Sequence, residues 1–412
     1  MKILQMKNSI LCAAATTLIL LSGCSADEMV EEGAIAAGEQ SPSEVEIKLS
    51  APTGISVTRA AIVGEGEQNV NGLGVFSLAR ELQDANSPQN VSWFGSQNLL
   101  GCILSNVEAN KVGNAIEWAD PSAVYFYPSS QVYSYDFYGY YPYLSDDNIT
   151  YEDTRIVANY AIDGSQDLIW GRATSKEQYA YSAKYYRENT DALKPNIALK
   201  HLLTRFVFTA VPGTAKGSYK EAVQMRIDAI QIVDTYTNLA VTIADHSNLD
   251  MALADRVKPA DEEVTGVLTL RDADGEVMSP VTLVEPEGEP VPQQLGESLM
   301  LYPQDRYTVR IVLSMEEDDA TGGEGGNGDG SDGQLKDDSA DEGVDALSDE
   351  SFVVGNRRIY TSEIPLELLS GNAKFEQGVS YNVKITVHGP KSIGLTATLT
   401  PWEEKDGPTI EL

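Results

Sequence analysis

The sequence predicts an all-β protein of sandwich type. Three observations carry that expectation: apolar and polar residues alternate with period two in short runs, clusters of Gly, Pro, Asn and Asp punctuate those runs, and helical spacing is scarce. Val45, Ile47 and Leu49 alternate with Glu46, Lys48 and Ser50, which puts three aliphatic side chains on one face of a first strand beginning near Glu44. Pro52 and Gly54 break that strand, and Ile55 to Thr58 reads as a second short extended piece ending at Arg59. Further strands are expected at 74–78, 123–127, 132–141, 196–199, 205–211, 225–233, 239–243, 264–270, 298–301, 307–313, 381–387 and 395–399. Helical candidates are confined to 178–187 and 366–369.

Ahead of the first strand the chain carries an address. Lys2 and Lys7 precede an apolar run from Ile10 to Leu21, and Leu21-Ser22-Gly23-Cys24 closes it. A membrane-spanning helix needs about 20 apolar residues, so this shorter run reads as a cleaved export signal of the bacterial lipoprotein type. Residues 1–23 are expected to be removed and Cys24 to carry lipid. The acidic residues after it, Ser25-Ala26-Asp27-Glu28, resemble the export tag of surface lipoproteins in the Gram-negative phylum of gut and oral anaerobes. That implies the outer face of the outer membrane. Residues 24–43 are acidic, rich in Gly, Ala and Ser, and poor in apolar side chains, as a flexible tether would be.

The full chain has 412 residues and a formal charge of −33, with three cysteines. Loss of Lys2 and Lys7 with the signal takes the charge to −35 (−33 − 2). Such acidity disfavours nucleic acid and anionic lipid surfaces as partners, because both reward a basic face. Cys12 leaves with the signal and Cys24 is lipidated, so Cys102 remains alone and no internal disulfide is expected. The segment 316–350 holds fourteen acidic residues and one lysine around a Gly-rich centre. It reads as a disordered insertion in a hairpin between the 307–313 strand and Phe352-Val353-Val354. Asn327, Asp329 and Ser331 alternate as in a calcium loop, but Asp332 stands where glycine is required and Asp338 where a glutamate is, so a solvated acidic loop is the reading.

Catalytic constellations are scarce. The chain has no His-Glu-x-x-His, Cys-x-x-Cys, Gly-x-Ser-x-Gly, phosphate-binding loop or dinucleotide fingerprint. His201, His246 and His388 are scattered, and His201 at the head of the apolar run 202–208 reads as a half-buried residue satisfied by backbone. No catalytic residue, cofactor or metal ion is expected. Tyrosines crowd into 125–143 and again into 179–186. Aromatic faces suit sugar stacking, yet Tyr133, Tyr135, Phe137 and Tyr141 fall on one face of one strand, which suits a core with hydroxyls at its rim.

Several segments together resemble the fimbrillins, which build the shafts, tips and anchors of type V pili in that phylum. The resemblance spans nearly the whole chain. It rests on the lipidation motif, Val57-Thr58-Arg59-Ala60, Tyr135-Asp136-Phe137-Tyr138-Gly139-Tyr140-Tyr141-Pro142, Asp167-Leu168-Ile169-Trp170-Gly171-Arg172-Ala173, Ala198-Leu199-Lys200-His201-Leu202-Leu203-Thr204-Arg205-Phe206, and Pro401-Trp402. It implies two transthyretin-like β-sandwich domains in tandem, 44–194 and 195–412, with 44–59 a removable first strand. It also implies a pilin role without catalysis, with Trp170 and His201 as packing residues.

On that resemblance, a trypsin-like surface protease would cut between Arg59 and Ala60. The strand bearing Val45, Ile47 and Leu49 would be displaced, and another pilin subunit's strand would take its place. Ile410 and Leu412, sharing one face of the last ten residues, are a candidate C-terminal donor. Expected partners are other pilin subunits, outer-membrane lipid through the Cys24 acyl groups, the processing protease, and a host or bacterial surface ligand for adhesion. The alternative is a monomeric glycan- or protein-binding surface lipoprotein.

Overall fold

The computed structural model describes residues 44–52, 69–83, 87–89, 102–128, 133–152, 154–177, 179–189, 191–214, 217–316, 351–354, 357–368, 374–390 and 392–400. Strands dominate it, and the sheets pack in layers as the all-β sandwich expectation requires. Most expected strands are present, including Tyr133–Tyr141, Thr204–Pro212, Arg226–Thr235, Asn238–Asp245, Tyr307–Glu316 and Ser380–Gly389. The 123–127 segment makes a single bridge at Phe126 and no strand. The 178–187 candidate becomes a short helix, Ala183–Glu188, capped by the Ser182 hydroxyl, which accepts from the Tyr185 amide. Of the 366–369 candidate, Leu366 is the buried last residue of strand Arg357–Leu366, pairing with Tyr307, 367 and 368 are not helical, and 369 lies outside the described residues.

A large sheet organises the first part of the chain. Its strands run in the order Leu49–Ser50, Ala115–Trp118, Cys102–Val112, Val70–Gln83, Tyr133–Tyr141, Ile169–Ala173 and Ala198–His201, with neighbours antiparallel. Alternation sends its side chains to two separate cores. On one face Val75, Ala79, Tyr135, Phe137, Ile169 and Leu199 join an inner core. On the other face Phe76, Leu78, Tyr138, Tyr140 and Trp170 join a second core that runs on into the rest of the molecule.

The second face is covered by a four-stranded sheet in the order Val257–Pro259, Asn238–Asp245, Arg155–Ala161 and Ile149–Tyr151. Chain order and sheet membership therefore part company around residue 195. Ala198–His201 belongs to the large sheet, and the hairpin formed by Asn238–Asp245 and Val257–Pro259 reaches back to pair with Arg155–Ala161. Polar contacts fasten that hairpin. Trp170 Nε1 donates to the Ile243 carbonyl at 2.8 Å, and the Arg256 guanidinium lies 3.6 Å over the Trp170 ring while donating to the carbonyls of Thr242 and Ile243. Arg172 donates to the Leu249 carbonyl and, at 2.8 Å, to the buried Asp136 carboxylate, which Arg80 also faces.

The remaining strands form two more sheets. One runs Gln293–Leu301, Thr204–Pro212, Ser380–Gly389 and Ser392–Thr400, with the middle pair parallel. The other runs Gly266–Thr269, Arg226–Thr235, Tyr307–Glu316, Arg357–Leu366 and Ser351–Val354. Phe206, Tyr307, Phe375 and Tyr381 pack edge to face between them. The expected hairpin across the acidic insertion is corrected here: Tyr307–Glu316 pairs with Arg357–Leu366, and Ser351–Val354 lies on the outer side of the latter. The insertion itself, 317–350, lies outside the described residues.

Gly74 sits directly opposite Tyr140, whose ring folds over it so closely that a Cβ built there would overlap the phenol. The Tyr140 hydroxyl in turn donates to Asn106, and Asn106 donates to the Leu144 carbonyl at 2.9 Å. Gly74→Ala must displace that ring, and a loss of about 1–3 kcal/mol in urea unfolding is expected. Alkali tests the same packing. Burial holds the phenols of Tyr138, Tyr140 and Tyr307 above their ordinary range, with the Asp136 charge adding at Tyr138. Their contribution is intact below about pH 10, where unfolded phenols ionise, and is lost as pH rises from there toward the folded values. Tyrosinate absorbance from this set should therefore appear together with the loss of the β circular-dichroism signal.

Candidate functional site

Residues 45–51 occupy the seam of the large sheet. Their buried side chains are Ile47, Leu49 and Ala51, with Val45 packed against the same inner core. Glu46 and Lys48 face solvent between them and pair with each other at 3.0 Å. This is the alternation expected from the sequence, and it places the expected Val45, Ile47 and Leu49 face inward.

The segment is hydrogen-bonded on both sides. On one side Leu49 and Ser50 pair with Ile116 and Ala115, and the Ala51 amide donates to the Asn114 carbonyl at 3.0 Å. Further along, the Ile47 amide donates to the Tyr125 carbonyl and the Tyr127 amide to the Val45 carbonyl. On the other side the Ser50 amide donates to the Pro195 carbonyl at 2.9 Å, and the Ile197 amide donates to the Ser50 carbonyl at 2.8 Å. The 195–197 stretch runs directly into Ala198–His201, the strand at the far end of the sheet. The sheet is thereby rolled into a ring whose last gap is filled by residues 45–51.

Around the segment the inner core supplies a lined groove. Val70, Lys111, Ile116 and Leu49 stand directly opposite one another across adjacent strands, and the buried Lys111 ammonium donates to the Gly113 carbonyl at 2.7 Å. Tyr127 packs against Phe137 and Tyr186, Trp118 meets Tyr125 edge to face at 4.9 Å, and helix Ala183–Glu188 adds Ala183. Burial pushes the Tyr127, Tyr135 and Tyr186 phenols above their ordinary values. Burying Ile47 and Leu49 contributes about 3–6 kcal/mol at typical side-chain values.

The tyrosine-rich strand fills both cores. Tyr135, Phe137, Tyr138 and Tyr140 are all fully buried. The expectation of hydroxyls at the rim is corrected at Tyr135, whose oxygen is buried without a hydrogen-bond partner among the described residues. His201 is buried too, and its Nδ1 pairs with the Asp167 carboxylate, since strand pairing of 198–201 with 169–172 brings the two together. Arg59, Ala60, Cys24, Ile410 and Leu412 lie outside the described residues. Sequence reasoning missed Ala51 and the Cys102–Val112 and Ala115–Trp118 walls, and it gave a strand at 196–199 without its pairing to Ser50. Ile116 and Trp118, alternating with Ala115 and Glu117, were the available signal for one of those walls. Among the described residues no group of His, Cys, Asp and Glu is placed to hold a metal ion, and no helix is long and apolar enough to cross a membrane.

No protein-family model and no curated protein matches the sequence. Among solved structures the chain is similar to a candidate cell adhesion protein from Bacteroides ovatus, with 10% identity, a TM-score of 0.42, and coverage of 89% of this chain and 100% of that one. A fimbrial assembly protein from Parabacteroides distasonis gives 13% identity and a TM-score of 0.35, covering 87% and 99%. The fimbrial anchor protein Mfa2 from Porphyromonas gingivalis gives 9% and 0.29, covering 87% and 97%.

The site's geometry separates buried from exposed positions on one strand. Leu49→Ala should cost about 2–5 kcal/mol in equilibrium unfolding, while Lys48→Ala, whose side chain is 57% exposed, should change stability by less than about 0.5 kcal/mol.

Proposed function

We propose that this chain is a structural or accessory subunit of a surface fimbria of the type V kind, exported as a lipoprotein precursor and serving adhesion. The observation that carries the reading is the seam segment, a short stretch at the start of the described residues that fills the last gap in a closed sheet. In the reading, Cys24 holds the precursor on the outer membrane by its acyl groups. Residues 45–51 complete the sheet in transit. A trypsin-like surface protease then cuts after Arg59, and the strand leaves together with the lipid tether.

What remains is an apolar groove with unpaired edges at Ala115–Trp118 and 195–197, which is poorly stable alone. A strand from another subunit fills it by β-augmentation, with backbone hydrogen bonds giving affinity and alternate side-chain pockets giving register. Ile410-Glu411-Leu412 repeats the spacing of Ile47-Lys48-Leu49, so it fits the same two pockets when donated by a neighbouring copy. Atoms are transferred only in the processing cut, made by the protease, and the chain itself carries no catalytic step. The burial of Tyr127, Tyr135, Tyr138 and Tyr140 in the two cores favours this reading over a monomeric glycan-binding lipoprotein.

Arg59→Ala tests the proposal in cells. The expected result is a folded, lipidated monomer at the surface that does not polymerise. Filaments of normal length built from uncleaved Arg59→Ala chains would remove the mechanism.

A further inference from the structure

We infer that the outer rim of the groove, residues 193–200 together with Phe126 and Val112, is a docking face for the acidic surface of a second copy of this chain. The inference rests on the strand-exchange reading and adds the contact that brings an incoming subunit to the groove before its strand inserts.

Three exposed apolar side chains surround the seam segment. Leu193 is 84% exposed, the highest value among the exposed large hydrophobics of the described residues, and it lies two positions before Pro195, whose carbonyl accepts from both the amide and the hydroxyl of Ser50. Phe126 is 42% exposed and bridges directly to Glu46. Val112 is exposed in line with Ala115 and Ser50 across the strands. These residues flank the segment on both of its hydrogen-bonded sides. An apolar rim continuous with a strand-accepting groove is the part of a surface that association would dehydrate.

Charge identifies the occupant. Along 193–200, Pro195, Ile197 and Leu199 are buried while Lys194, Asn196, Ala198 and Lys200 are exposed, so the outward row carries two lysines. Over 193–200 the chain has Lys194 and Lys200 and no acidic residue, a net of +2, whereas the whole chain stands at −33. At −33 each, two copies repel each other on average. The rim is a place where the sign is locally reversed, so an approaching copy is attracted there and oriented with its acidic surface toward the groove. Apolar contact at Leu193, Phe126 and Val112 then holds it while the strand inserts.

The test uses the full chain after limited tryptic cleavage at Arg59 and compares two readouts. One is elongation followed by light scattering. The other is binding of a synthetic peptide of residues 44–51 to the cleaved subunit. In Lys194→Glu/Lys200→Glu, elongation should fall by about tenfold or more while peptide affinity stays within about twofold. Leu193→Ser, at a position too exposed to affect folding, should show the same split. Elongation within about twofold of the parent, with peptide binding intact, would overturn the docking face. Normal elongation combined with lost adhesion of cells to a glycan- or protein-coated surface would overturn it as well and assign the rim to an adhesion ligand. If the cleaved parent chain neither bound peptide nor elongated, the strand-exchange reading itself would fail, and the docking inference with it.

Discussion

The structure depends on closure of the large sheet, because an open edge of a sheet leaves a row of backbone donors and acceptors without protein partners. Residues 45–51 close it with hydrogen bonds to Ala115–Trp118 and Asn114 on one side and to Pro195 and Ile197 on the other. Their side chains complete the inner core at the same time. Backbone satisfaction and apolar burial are therefore supplied by one short segment, and neither can be removed without the other. Among the described residues, the seam strand, the 125–127 stretch and helix Ala183–Glu188 cover the inner face.

The outer face is held by different means. The Asn238–Pro259 hairpin comes from later in the chain, yet it pairs with Arg155–Ala161 and continues one apolar core through both halves of the molecule. At its contact with the large sheet, Arg256 is only 1% exposed, which would be costly for a lone charge. Stacking on Trp170 and two carbonyl acceptors compensate that burial. Asp136 between Arg80 and Arg172 is a second buried charged group, satisfied by cations from two other strands of the same sheet. Removing one member of such a set leaves another charge buried, so these positions have few alternatives to the native packing.

Several strands with one wet face were legible, though Ala115–Trp118 and Arg155–Ala161 were not, and strands buried on both faces were legible only by composition. Residues 45–49 could be read because Glu46 and Lys48 mark the solvent side. Tyr133–Tyr141 is buried on both faces, and it was found through its aromatic density. Ile169–Ala173 is also buried on both faces, but it is short, contains Gly171 and carries Arg172, a residue that reads as surface until its carboxylate partner is known. Cys102–Val112 was hidden for a related reason: Asn106 and Lys111 look like solvent positions but are buried and hydrogen-bonded. The close approach that makes Gly171 necessary, with the Ala198 backbone 2.7 Å from where a Cβ would stand, joins residues too distant in sequence for any local pattern to register. The same holds for the hairpin that crosses back to Arg155–Ala161 and for the 195–197 edge of the groove.

In the proposed strand exchange, the two faces of the large sheet would let its seam strand leave while the fold persists. Burial of Ile47 and Leu49 is worth about 3–6 kcal/mol, comparable with the roughly 5–15 kcal/mol that holds a whole domain together. A sheet supported only through its inner core would be expected to open once that contribution was withdrawn. Here Val70–Gln83, Tyr133–Tyr141 and Ile169–Ala173 send alternate side chains outward into the core shared with the second half, where the Trp170 and Arg172 contacts secure them independently of the seam. Loss of residues 45–51 therefore falls on the strands that the outer core does not hold, Ala115–Trp118 and the 195–197 edge. Those two edges are also the ones whose hydrogen-bonding groups a replacement strand would meet in the proposed exchange, so the damage and its repair would be confined to the same place.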